Sequence, residues 1–325
     1  MSLTASGRDI DVFNGDADGI CAVHMWRMAF PADAELVTGA KRDISLLKNL
    51  NAASGDNITV FDISFDQNVP SIRRLLDAGA AITYFDHHSA SNRFEHPRLS
   101  LHWDEHPKVC SSILVNNALE GRYPEWAIVA AYGDNLNDVA RKWAEKIELT
   151  EHQSGQLCEL GKLLNYNAYG ESLADLHFHP ALLYAEVSQY KDPFHMIDEA
   201  SAFRTLQRGY HSDRLYLNSL NPAETGKDAI LYVLPDQSWA RRISGEFANQ
   251  LTADHPLKSC AVIVPKANSA FVVSIRSAKP DQLPANIFCE RFETGGGRRG
   301  AGGINVLPTS ELDHFVRQFF QYFSG

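Results

Sequence analysis

Three short apolar segments each run into carboxylates, and this repetition constrains the chain more than any other feature. Ile10-Asp11-Val12-Phe13 leads into Asn14-Gly15-Asp16-Ala17-Asp18-Gly19, Ile58-Thr59-Val60-Phe61 into Asp62, and Ala81-Ile82-Thr83-Tyr84-Phe85 into Asp86-His87-His88. A helical pattern follows the first segment over residues 19–30, and another follows the second through Ile72, Leu75 and Leu76. Strands alternating with helices predict βαβ units and a parallel sheet. Ligands of such sheets bind beyond the carboxyl ends of the strands. Asp16, Asp18, Asp62 and the Asp86 group are therefore expected along one sheet edge. Tyr132-Gly133-Asp134-Asn135 is a candidate fourth element. It closes an apolar run, residues 125–131, that reads as a helix or as a buried strand. Residues 112–119 read as helical.

A dense group of carboxylates is unfavourable unless cations or protons neutralise it. Carboxylate oxygens with one imidazole suit Mn2+ or Mg2+, since no thiolate pair is present to select zinc. Each motif alone has a plain structural reading. Asp-Ala-Asp-Gly serves as a turn or helix cap, Asp62 as a cap, and His87 and His88 as surface histidines. The shared position at strand ends is what argues for one site. His177 and His179 have no carboxylates patterned around them and read as structural.

A length of 325 residues predicts two domains. Residues 172–222 are less regular, and the pattern restarts near Ala229. A strand over 230–234 and a helix over 238–251 come first. Strands over 261–264 and 270–275 then flank a loop at 265–269. A helix over 284–292 leads to a glycine cluster, Gly295-Gly296-Gly297-Arg298-Arg299-Gly300-Ala301-Gly302-Gly303, then a strand over 304–307 and an amphipathic helix over 311–323. The expected organisation is α/β: a parallel-sheet domain over 1–185, a connector over 186–226, and a smaller α/β substrate-binding domain over 227–325.

The net charge is −10 and the pI about 5.7. Proteins that grip long nucleic acid usually show a basic face, so the balance favours a small anionic substrate. Arg241-Arg242 and Arg298-Arg299 are the local basic clusters. No stretch approaches the ~18 apolar residues of a membrane span, and residues 1–8 lack a signal-peptide pattern. Five scattered cysteines without a CxxC pair fit a reducing cytoplasm.

Three known patterns compete for these motifs. A calcium EF-hand loop beginning at Asn14 needs Glu at its twelfth position, which is Met25 here. Asp16-Ala17-Asp18 also resembles the first motif of haloacid-dehalogenase-like phosphatases, and Gly133-Asp134-Asn135-Leu136-Asn137-Asp138 their late magnesium motif. That reading leaves Asp86-His87-His88 and the glycine cluster without a role. The whole set resembles the DHH phosphoesterase superfamily, which includes RecJ exonucleases, NrnA-type oligoribonucleases, cyclic-dinucleotide phosphodiesterases and family II pyrophosphatases. The glycine cluster is similar to the substrate motif of the DHH-associated C-terminal domain.

The resemblance implies a two-ion Mn2+ (or Mg2+) phosphoesterase. Asp16 would hold the first ion and Asp18 the second. Asp62 would bridge them, and His87 and Asp134 would bind the second. His88 would lie beside the phosphate, and Asp86 would orient the histidines. Gly295, Gly296, Gly297, Arg298 and Arg299 would bind substrate, a small phosphorylated molecule or a short single-stranded oligonucleotide. A homodimer is compatible with the pattern, and no membrane is implied. Two departures stand out. Asn14 takes the place of a family His and would be a weak ligand to the first ion. Arg298 replaces a His after the glycines; it can clamp phosphate but cannot donate a proton near neutral pH. Together they leave open a nucleotide- or nucleic-acid-binding role with weak or no turnover.

Overall fold

The computed structural model describes residues 7–266 and 269–324. They form two compact units that divide between Arg208 and Gly209. The expectation for the N-terminal leader pattern lies largely outside the described residues, as do Ala267 and Asn268 of the expected 265–269 loop.

The first unit opens with β1 (Asp9–Asn14), α1 (Ala17–Ala29), β2 (Glu35–Gly39), β3 (Asn57–Phe61), α2 (Phe65–Asp77), β4 (Ala81–Asp86) and β5 (Leu99–Trp103). The strands make one parallel sheet in the order β2-β1-β3-β4-β5. Side chains alternate along a strand, and here both faces are buried, as parallel sheets require. Ile10, Val12, Ile58, Val60, Ile82 and Tyr84 pack into one core with Leu75 and Leu76 of α2. The alternate residues Phe61 and Phe85 stack on the opposite face with centroids 5.7 Å apart, and Trp26 of α1 packs on Phe85 at 5.2 Å. Strands β2 and β5, at the sheet edges, carry partly buried or exposed residues apart from Gly39. Neither was expected from sequence: the apolar signal of β2 is weak, while the alternation in β5, Leu99-Ser100-Leu101-His102-Trp103, was overlooked.

The helices α3 (Ser111–Ala118), α4 (Pro124–Gly133), α5 (Asn137–Lys146), α6 (Glu151–Ala168), α7 (Pro180–Val187), α8 (Pro193–Glu199) and α9 (Ser201–Leu217) follow. The ambiguous run at 125–131 is helical. Pro124 starts α4, where its fixed φ suits a first turn, and the helix is buried nearly all round because α1, α3, α5 and α6 enclose it. Residues 186–226, expected as a connector, are largely helical, and the division between the units falls inside α9.

His24 of α1 marks the centre of this helical layer. It is 2% exposed, its Nε2–H donates to the Tyr190 carbonyl at 2.9 Å, and its ring meets Trp126 edge-on at 4.6 Å. Burial outweighs that hydrogen bond and lowers its pKa from 6.5 to about 4. The unfolded chain therefore binds a proton near pH 6.5 that the folded chain refuses until about pH 4. Stability from this group is complete above pH 6.5 and is lost as pH falls through that window, by roughly 3 kcal/mol. His24→Gln should flatten this part of the urea-denaturation profile between pH 7 and 4.5; a variant profile as steep as the parent's would refute the assignment.

The second unit contains β6 (Glu224–Thr225), β7 (Ala229–Val233), α10 (Ser238–Asp254), β8 (Ser259–Lys266), β9 (Ala270–Arg276), α11 (Ala285–Cys289), β10 (Gly295–Gly297), β11 (Ala301–Pro308) and α12 (Leu312–Phe323). Its sheet runs β10-β11-β9-β8-β7-β6, with only β7 and β8 parallel. One core joins the sheet to Phe288 of α11 and to Phe315, Phe319 and Phe323 of α12. The helix expected over 284–292 is shorter, because the chain turns at Cys289 to enter β10. The glycine cluster is a β-hairpin rather than a loose loop: Arg298 and Arg299 sit at its exposed tip, with Arg298 and Ala301 exchanging backbone hydrogen bonds. Packing dictates some of its glycines. A Cβ on Gly295 would lie 1.8 Å from the Cys289 carbonyl oxygen, and Gly297 has φ +133°, whereas Gly296 has open space around it.

Among the described residues no helix is long and apolar enough to cross a membrane. The five cysteines are free, and all but Cys158 are buried. Arg241 pairs with Asp236, and Arg242 with the buried Asp213 at 2.8 Å, so this basic dipeptide is tied into the fold.

Candidate metal centre

Strand register builds this site. Phe13 pairs with Phe61 and Phe61 with Phe85, so the residues that follow, Asn14, Asp62 and Asp86, emerge level at the carboxyl edge. In the order β2-β1-β3 the connections diverge on either side of β1, which is where such sheets open a ligand crevice. Asp16 caps α1, accepting the Gly19 N–H on Oδ1 at 3.0 Å, and Asp18 lies in the first turn. Gly19 permits the tight return, since a Cβ there would lie 2.1 Å from the Asn14 carbonyl oxygen. Asp62 has φ +57°, a left-handed conformation disfavoured for a residue with a Cβ. Strain of this kind collects at functional sites. Asp134 follows the last turn of α4, and Asn135 at φ +61° reverses the chain behind it.

Three carboxylates converge on one imidazole. His87 Nε2 is 3.3 Å from Asp62 Oδ1, 3.9 Å from Asp18 Oδ2 and 3.9 Å from Asp134 Oδ2. Burial disfavours charge on His87, but the Asp62 hydrogen bond and the three carboxylates outweigh it and raise its pKa to about 10. Burial pushes Asp62 well above the ordinary carboxylate range, and the charges of Asp16 and Asp18 push it further. Burial also raises Asp134, against the pull of Lys41. Such a pocket favours positive charge, which is what raises His87. A divalent ion satisfies the same demand. The donor set fits Mn2+ or Mg2+: carboxylate oxygens, each with a lone pair to spare, and one imidazole.

His88 lies beside this group. Its Nδ1 is 2.7 Å from Asp86 Oδ1, while Asp86 Oδ2 accepts the Phe65 N–H at 2.9 Å. Asp86 thus contacts His88 rather than His87. A ligand atom of each of Asp62, His87 and His88 lies within 4.8 Å of the others, so His88 is close enough to be a ligand itself.

Sequence motifs did not reveal the residues that hold the ligands. Asp18 accepts the N–H groups of Ser111 and Ser112, both at 2.7 Å, at the amino end of α3. A helix N-terminus stabilises an anion this way. Ser111 Oγ also donates to Asp62 at 3.2 Å. The helical pattern over residues 112–119 was readable; the contact of Ser111 and Ser112 with Asp18 was not. Lys41, after β2, places Nζ 2.5 Å from Asp16 Oδ2 and 3.1 Å from Asn165 Oδ1 of α6. Asn14 accepts the Asp16 N–H on Oδ1 at 3.3 Å and donates from Nδ2 to the Lys41 carbonyl at 3.4 Å. His177 and His179 lie apart, His177 bonded to the Tyr166 hydroxyl and His179 capping α7.

Solved structures share this fold. RecJ exonuclease bound to manganese aligns with TM-score 0.61 at 14% identity, over 99% of this chain and 91% of that one. RecJ from Thermus thermophilus in complex with Mn2+ aligns at 0.60 and 14%, over 99% of this chain and 53% of that one. The pGpG-specific phosphodiesterase PggH from Vibrio cholerae aligns at 0.58 and 12%, over 98% and 99%. No protein-family model matches the sequence, and no curated protein does. The fold is that of these RecJ and PggH structures, as the motifs led us to expect.

Proposed function

We propose that this protein is a metal-dependent phosphoesterase acting on a phosphodiester or phosphoanhydride bond of a small anionic substrate. The convergence of Asp18, Asp62 and Asp134 on His87 supports this reading above all. These four residues would hold Mn2+ or Mg2+. When bound, such an ion makes a water acidic enough to attack near neutral pH and offsets charge on the phosphoryl oxygens.

The remaining roles belong to the protein. Ser111 and Ser112 fix both oxygens of Asp18, which orients it before any ion arrives. Asp86 accepts the His88 Nδ1–H and, against burial, its hydrogen bond raises the His88 pKa; the imidazolium so favoured would meet a substrate oxygen with its Nε2–H. His88 is half-exposed, so a substrate can reach it. Arg298 and Arg299, at the tip of the glycine hairpin of the second unit, offer permanent charge that can clamp a phosphate. Short oligonucleotides, dinucleotides, nucleoside bisphosphates and polyphosphate fit that description. The pocket needs no phosphorylated aspartate, because a water is the nucleophile.

The test is a substrate panel on chelator-stripped protein: defined-length oligonucleotides, linear and cyclic dinucleotides, a nucleoside bisphosphate and polyphosphate. Product release is expected on adding Mn2+ or Mg2+ and should vanish again with chelator. Tight binding of these ligands without turnover under any metal would replace this proposal with a nucleotide-binding role.

A further inference from the structure

The Asp16 side of the pocket is built differently from the Asp18 side. Lys41 reaches Asp16 from a loop anchored to α6, where its backbone N–H donates to the Ala168 carbonyl at 3.1 Å. Its ammonium sits 2.5 Å from Asp16 Oδ2, 3.1 Å from Asn165 Oδ1 and 5.5 Å from the centre of the Tyr169 ring. Asp16 Oδ1 is committed to capping α1. Both polar atoms of the Asn14 side chain are engaged with backbone, one with the Lys41 carbonyl. An ion on this side would have to displace a paired cation, and the neutral Asn14 amide offers it no compensating charge. The residues present therefore do not fit the first of the two ions implied by the motif resemblance.

We infer that this chain holds a single divalent ion, and that the Lys41 ammonium is the built-in cation in place of the other. Asn14 and Lys41 act as one substitution: an imidazole ligand is replaced by an amide, and the charge it would have helped to hold is supplied by a lysine. The ammonium is a compact point charge. It neutralises Asp16 and can face a phosphate oxygen, but it cannot acidify a water. Activity should then follow occupancy of one metal site.

This inference rests on the proposed metal centre, and counting ions separates the two. The stripped full chain is titrated with Mn2+, bound metal is measured by equilibrium dialysis and elemental analysis, and low-temperature EPR is recorded. The expected result is one ion per chain with an uncoupled mononuclear signal. The Asn14→His, Lys41→Ala double variant should bind two and show an exchange-coupled signal, whereas Lys41→Arg should stay at one. Two coupled ions in the parent protein would overturn the inference and leave the metal centre standing. No bound ion would overturn both. A double variant that is folded by circular dichroism yet still binds one ion would also overturn it, since Lys41 would not then be what excludes the second.

Discussion

Asp62→Gly is expected to abolish hydrolysis while leaving the metal-free protein at least as stable as its parent. Asp62 is the carboxylate closest to His87, at 3.3 Å, and it is 2% exposed. Removing a single preorganised contact to charge developing in a transition state costs about 100–1000-fold. Asp62 shapes the ion site itself, so a loss of at least about 1000-fold is expected, read as kcat/KM at saturating Mn2+. Stability should move the other way. A left-handed residue with a Cβ costs about 1–2 kcal/mol, and glycine adopts φ +57° without that cost, though it adds unfolded-state entropy. The substitution also removes one of several crowded buried carboxylates. Turnover within about tenfold of the parent would remove Asp62 from the mechanism. A large fall in the Tm of the metal-free protein would make its role structural instead.

The second large effect lies away from the carboxylate cluster. Trp126 is 1% exposed in the first turn of α4, packs on His24 and donates its indole N–H to the Lys191 carbonyl at 2.9 Å. Trp126→Ala should cost about 3–5 kcal/mol, from the lost burial and the cavity that remains. In a unit of this size that lowers Tm by roughly 6–20 °C. The Lys191 carbonyl also loses its partner, which adds to the cost. Because α4 carries Asp134 at its far end, Mn2+ affinity should weaken too. Added Mn2+ should recover part of the lost Tm, as a ligand bound only by the folded state must. A change below about 1 kcal/mol would mean that α4 is anchored elsewhere.

The motifs were legible because strand chemistry repeats. Phe13, Phe61 and Phe85 are each apolar, each ends an alternating run, and a parallel ladder brings them level. Once the strands are recognised, the carboxylates after them must share an edge. Of the edge strands, β2 has only Leu36 and Val37 as apolar side chains and gives little signal, whereas the alternation of Leu99, Leu101 and Trp103 in β5 was legible and was missed. The glycine cluster was recognised by composition, but its hairpin form follows from contacts with Cys289 and Ala301 that no local pattern reports.

The sequence by itself determined a parallel α/β sheet with Asp16, Asp18, Asp62 and the Asp86-His87-His88 group along its carboxyl edge, with Asp134 only a candidate beside them. Period-two apolar segments and their terminal carboxylates are properties of neighbouring residues, and they are readable without coordinates. Only the tertiary structure decided how these side chains are held and charged. Ser111 reaches Asp18 across 93 positions and Asn165 reaches Lys41 across 124. Contacts at such separations are set by how helices pack on the sheet, and no spacing along the chain encodes them. That packing put a lysine ammonium beside Asp16, a charge that no motif announced.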